Sequence, residues 1–151
     1  GGVPLVTDLA AQTAGIRTLI PLFDYMGFEL VEAGDGRAAG RIPLGPNGNH
    51  FGVIYAGALF SVAEVLGGVI ANSAIALDGF FPLVKDLQIK FLRPATTDVV
   101  ASTSLAPQEV ERVRAQALEQ GKAEYVLTTE VTDDNGVVVA STTGTYQVRK
   151  M

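Results

Sequence analysis

A chain of 151 residues, 48% of them hydrophobic, can bury one core of respectable size and is expected to form a single domain over 1–151. Its net charge of -5, from 16 acidic against 11 basic residues, opposes general attraction to phosphate backbones or anionic lipid, so neither nucleic acid nor a membrane surface is an expected partner. With no cysteine and one histidine, a disulfide framework, a thiolate metal site, a cysteine nucleophile and a multi-histidine metal site are excluded, no metal or cofactor is expected, and a reducing, cytoplasmic location is compatible.

The opening GGVPLVTDLAAQ lacks a basic segment followed by a continuous apolar core and does not read as a signal peptide. Thr7-Asp8 resembles a helix start, and Leu9, Ile16, Leu19, Ile20 and Phe23 recur at helical spacing until Pro21 splits the helix in two. Two strands follow, Phe28 to Ala33 and Arg37 to Leu44, joined by a tight turn at Gly34-Asp35-Gly36. GPNGN reads as an irregular loop.

From Asn49 to Leu77 the chain carries one charged residue, Glu64. The run from Phe51 is long enough to span a bilayer. Glu64 near its centre would be costly there, Gly67-Gly68 weakens a free helix, and the rest of the chain is patterned like a sheet, so no membrane span is expected. From about Ala56 the stretch is too long and too rich in Ala and Leu for a strand, and is read as a helix buried on nearly all sides. Ala63, Gly67, Gly68 and Ala71 would let a sheet or a partner helix approach its backbone closely.

LVKDLQIKFLRP alternates, with Leu87, Ile89 and Phe91 on one face and Asp86, Gln88 and Lys90 on the other, and Pro94 ends it. DVVASTSLA is a further strand. PQEVERVRAQALEQG reads as a surface helix with Pro107 at its start, Gly121 at its stop and Val110, Val113, Ala117 and Leu118 as its buried stripe. AEYVLTTEVTDDNGVVVASTTGTYQV is a hairpin turning at Asn135-Gly136.

Asn49, Gly52, Tyr55-Ala56-Gly57 and Glu64 fall at the spacings of a pattern carried by many hotdog-fold acyl-CoA thioesterases: Asn, three residues to Gly, three more to His-Gly-Gly, then Asp or Glu seven residues after the last Gly. QIKFLRPATTD resembles the strand and Pro turn that follow. From about Met26 to Val148 the chain therefore resembles that superfamily, in particular the thioesterases of the phenylacetate-pathway type. The resemblance implies an α+β hotdog fold, an antiparallel sheet of about six strands wrapped around a long central helix. It also implies two protomers pairing to complete the active sites, as a homodimer or a dimer of dimers, and an acyl-CoA or acyl-carrier thioester as substrate. Two positions depart from the pattern: Tyr55-Ala56 stands where many relatives have His-Gly, and Val84 where some carry a small hydroxyl residue on the next strand.

Thioester hydrolysis needs donors for the oxyanion and either a base for water or a carboxylate that attacks directly. If the helix begins near Ala56, the amides of Ala56 and Gly57 point out of its positive end, and Gly57 has no side chain to block approach. Glu64 lies two turns on, roughly on the same face. In apolar surroundings its pKa should be raised, which suits a base or nucleophile near neutral pH. By the resemblance Asn49 holds substrate or water, and Tyr55, Ala56, His50 and Val84 line the substrate. Plainer readings stand beside these: Glu64 pairing with a cation across a dimer interface, Asn49 serving its turn, and Gly57 only packing. Lys85, Lys90, Arg93, Arg149 and Lys150 could meet coenzyme A phosphates or be ordinary surface cations.

Two other functions are open on the same residues. A hydroxyacyl-thioester dehydratase would use His50 and Glu64, which have the fourteen-residue separation of that class but lack its Pro-Gly pair, since Ala58-Leu59 stand there. A non-catalytic acyl-ligand binding domain would use the same apolar helix without turnover.

Overall fold

A computed structural model describes residues 8–151; Thr7, read above as part of a helix start, and most of the opening stretch lie outside the described residues. Helix α1 (Leu9–Leu19) is capped by Asp8, whose carboxylate accepts the Ala11 N–H at 3.0 Å. Pro21 opens α2 (Pro21–Met26) as its first residue, where its missing N–H costs nothing, and Gly27 closes α2 at φ 70°.

Strands β1 (Glu29–Gly34) and β2 (Arg37–Ile42) form the expected hairpin, with Asp35 and Gly36 at φ 53° and 73°. Where an irregular loop was expected there is a helical turn, α3 (Leu44–Asn47). It forms because side chains satisfy its ends. Asp98 accepts the Leu44 N–H at 2.8 Å and the Arg41 guanidinium at 2.6 Å, and the buried Asn47 amide donates to the Met26 and Pro43 carbonyls, both at 2.8 Å.

The central helix starts at Ala56, as read, in three pieces: α4 (Ala56–Glu64), α5 (Leu66–Ile70) and a π-helical turn (Ala71–Ile75) that ends at Ala76 with φ 47°. By length and composition Ala56–Ile75 could cross a membrane. Here Val62, Leu66, Ile70 and Ile75 are fully buried. They pack under the remaining strands: β3 (Phe80–Phe91), β4 (Val99–Ser104), β5 (Lys122–Asp133) and β6 (Val138–Lys150), with α6 (Pro107–Gln120) between β4 and β5.

The six strands form one antiparallel sheet in the order β1-β2-β4-β5-β6-β3. Strand β5 alternates exposed and buried residues along nearly its whole length, so Ala123, Tyr125, Leu127, Thr129 and Val131 face the helix. The curled sheet around one helix is the hotdog arrangement that the resemblance implied.

Two expectations about packing need correction. The central helix is not covered all round: Gly57, Phe60, Ser61, Glu64, Gly68 and Asn72 form a half-buried to exposed stripe at spacings of three and four. The sheet covers one side of the cylinder and nothing among the described residues closes this one. Leu118 does not join the buried stripe of α6 but is 66% exposed, and Val110 is only half-buried, leaving Val113 and Ala117 as the contact. The β3 alternation is present, interrupted by a bulge at Lys85, but β3 is an edge strand with exposed side chains on both faces.

Candidate functional site

Tyr55 caps α4 in an extended conformation, its own N–H donating to the Asn47 carbonyl at 2.8 Å. The Tyr55 carbonyl accepts the amides of Ala58 at 3.0 Å and Leu59 at 3.2 Å. Ala56 and Gly57 are thus the first two residues of the helix, and their N–H groups have no intrahelical acceptor, so they carry its partial positive charge. Gly57 is not simply open space. A Cβ there would lie 2.6 Å from the ring of Tyr55, which is folded across the helix start while 60% exposed.

A cavity of about 480 Å³ opens beside these amides. Asn49, Tyr55, Gly57, Ala58 and Ser61 form one wall, and Leu22, Tyr25 and Met26 of α2 face them. The hydrogen bonds of Asn47 described above tie α2 to α3 and so fix the distance between the walls. Asn49 does serve its turn: its side-chain oxygen accepts the Phe51 N–H at 2.9 Å and the Val53 N–H at 3.3 Å. That leaves its NH2 group to offer to the cavity. Ser61 was not singled out from the sequence. It sits four residues after Gly57 and three before Glu64, a spacing that alone puts it on their face, and its hydroxyl donates to the Gly57 carbonyl at 2.8 Å.

Glu64 lies seven residues beyond Gly57, about 10 Å along the axis, and is not part of the cavity wall. It is half-buried, and burial raises its carboxyl above the usual carboxylate range. None of the ion pairs or side-chain hydrogen bonds among the described residues reaches its carboxylate. Its backbone carbonyl instead accepts the phenol of Tyr146 at 3.0 Å, and three residues on the Gly67 carbonyl accepts Tyr125 at 2.7 Å. The two rings stack with centroids 5.6 Å apart. Burial pushes both phenols up, Tyr146 further through Glu64, and Tyr125 through Tyr146 and then Glu64, so both stay protonated as donors. Neither tyrosine was read from the sequence as part of the site.

Of the remaining candidates, Ala56 is exposed at the helix start. Val84 is 42% exposed on β3 and pairs directly with Tyr146. The structure does not bring His50 to the cavity wall: it is exposed and packs on Phe51, ring centroids 4.0 Å apart. Lys85, Lys90, Arg93, Arg149 and Lys150 are all exposed and none lines the cavity. Among the described residues there is no cluster of three acidic or histidine side chains that could hold a metal.

Over residues 10–148 the chain matches a family model described as a domain of unknown function (DUF4442). A Pseudomonas aeruginosa protein, described as of unknown function and a probable thioesterase, is 35% identical over 100% of both chains with a TM-score of 0.85. A thioesterase of Haemophilus influenzae is 16% identical, covering 94% of this chain and 90% of its own, with a TM-score of 0.74. A Chlorobaculum tepidum protein of unknown function is 18% identical over 94% of each chain, with a TM-score of 0.85. These last two carry the fold alone. No curated protein matches the chain in sequence.

Proposed function

The chain belongs to the DUF4442 family, with the fold of the hotdog thioesterases, and on that footing we propose that it hydrolyses acyl-CoA or acyl-carrier thioesters at a site shared by two copies of the chain. One observation carries the reading. An uncovered stripe of the central helix holds free backbone donors at one end and, two turns away, a half-buried carboxylate without an ion-pair partner among the described residues.

The separation argues for two copies. A thioester carbonyl is polarised by donors about 3 Å from its oxygen, and the attacking group must stand at a similar distance from its carbon. The backbone of Glu64 stands about 10 Å along the axis from that of Gly57, further than donors and attacking group stand from one another around a single carbonyl. Two helices laid against each other can bring the Ala56 and Gly57 amides of one copy to the Glu64 of the other. The uncovered stripe and the unpaired edge of β3 are the surfaces that such a pairing would close.

In this mechanism the carbonyl oxygen sits at the helix start, and Glu64 takes a proton from water as the water oxygen bonds to the carbonyl carbon. The carbon–sulfur bond then breaks and the thiolate leaves with the proton that Glu64 holds. Alternatively the carboxylate attacks the carbonyl carbon, the carbon–sulfur bond breaks and the thiolate leaves and takes a proton from solvent, and water then opens the mixed anhydride to release the acid and restore the carboxylate; the raised carboxyl suits the proton-holding step of the first route. The hydrocarbon of the acyl group would enter the cavity between α2 and α4, whose wall is mostly apolar.

A second reading, a binder without turnover, draws on the Tyr55 ring lying across the helix start and on the apolar Val84 beside the site. Thiol release from thioesters running from acetyl-CoA to palmitoyl-CoA separates the two. Hydrolysis by the wild type that is lost in a folded Glu64→Gln variant supports the hydrolase. Saturable binding of a long-chain thioester with no thiol released by either protein supports the binder. Dehydration has no support from His50, which faces solvent on Phe51.

A further inference from the structure

The central helix breaks immediately after its one carboxylate, and the break has a physical cause. In an unbroken α-helix the Gly68 N–H would donate to the Glu64 carbonyl. Here Gly68 donates to Val65 at 3.1 Å, one residue short, and Val69 donates to the same carbonyl at 3.3 Å. The Glu64 carbonyl accepts the Tyr146 phenol instead, at 3.0 Å, across 82 residues of chain.

Other residues make room for that bond. The Tyr146 ring lies in the space that a Cβ on Gly67 would occupy, and a Cβ on Gly144 would come within 3.0 Å of the same ring. Tyr146 itself is 2% exposed and stacked on Tyr125, so the ring has nowhere else to go. The Glu64 carboxylate takes part in none of the hydrogen bonds among the described residues. Its direction is therefore set by the backbone that carries it.

We propose that Tyr146 is a positioning residue: by drawing the Glu64 carbonyl out of the helix ladder it fixes the break that aims the Glu64 side chain at the substrate. This rests on the reading of Glu64 as the reacting carboxylate. A misdirected carboxylate would still let substrate bind, since the cavity wall does not include it, but would slow the chemical step.

The test compares Tyr146→Phe with Tyr125→Phe, each of which removes one phenol-to-carbonyl bond to the central helix and leaves its ring in place. Three readouts are needed: the melting temperature, kcat and KM on the best thioester, and the ¹³C carboxyl resonance of Glu64 at neutral pH. The expected result is a similar loss of melting temperature in both variants. Only Tyr146→Phe should lower kcat, by about tenfold or more with KM little changed, and only it should move the Glu64 resonance. A merely structural bond would move neither selectively. If Tyr146→Phe keeps wild-type kcat, or if both variants lose kcat alike, the proposal is overturned. If the wild type releases no thiol from any thioester, it is the hydrolase reading that has failed. The resonance then decides: unmoved in Tyr146→Phe, it overturns the positioning role as well, and moved only there, it supports it.

Discussion

Glu64 sits where ionisation is resisted, and that has a signed consequence for stability. Because burial raises its carboxyl in the folded chain, the native state binds more protons than the unfolded one between the two pKa values. The stabilising contribution is full below the unfolded value and is lost as pH rises through the folded one. Glu64→Gln carries no charge to bury, so its melting temperature should match the wild type near pH 4, about where an exposed carboxylate titrates, and exceed it at about pH 7. Activity should run the other way. A base must be ionised, so kcat/KM of the wild type should climb with pH through that same raised value, and Glu64→Gln should lack the limb. At the helix start, Tyr55 has ψ 140°, a conformation that a following proline accepts, and Ala56 is the first helical residue. Ala56→Pro should therefore fold with little change in melting temperature while deleting one oxyanion donor. Its kcat is expected to fall by about 10²-fold or more. At this scale the sequence spoke through spacing: Asn49, Gly57 and Glu64 are legible as a pattern. Tyr146 is not, because its partner is a carbonyl 82 residues away and nothing local to Tyr146 reports that.

Among the elements, the central helix depends on glycine for a packing reason rather than a conformational one. Gly67 has helical backbone, but the Tyr146 ring fills its Cβ space and is itself buried. Gly67→Ala, which in a free helix would stabilise, should instead destabilise by about 1–3 kcal/mol in urea unfolding. The turn α3 depends on Asp98, whose carboxyl is held below the usual range first by the Leu44 N–H and then by Arg41. That contribution is present above the unfolded pKa and is lost as pH falls through the depressed one. Asp98→Ala should loosen the wall that carries Asn47 and Asn49, raising KM for long acyl thioesters more than it lowers kcat, at a cost of about 1 kcal/mol in stability. Element boundaries were readable wherever a residue enforces them alone, as Pro21, Pro107, Gly121 and the Asn135-Gly136 turn do. They were not readable where distant side chains decide, as Asp98 does for α3 and the Tyr146 phenol does at the Glu64 carbonyl.

For the whole molecule, the hotdog arrangement follows from one apolar helix too long to leave bare and enough alternating strands to cover one side of it. The uncovered stripe was hidden in the sequence because Gly57, Phe60 and Gly68 are as apolar as their buried neighbours, so composition cannot tell a face waiting for a partner from a face already packed. The central claim is that the donors of one copy and the carboxylate of another complete each site, and a mixing experiment tests it most directly. Glu64→Gln and Ala56→Pro, each crippled alone, would be unfolded and refolded together in equal amounts. Half of the resulting dimers are mixed, and in each mixed dimer one of the two sites receives both intact groups. The account predicts that the mixture regains about a quarter of wild-type activity. Mixed dimers that form, as seen by tag pull-down, yet hydrolyse no faster than the single variants would contradict it.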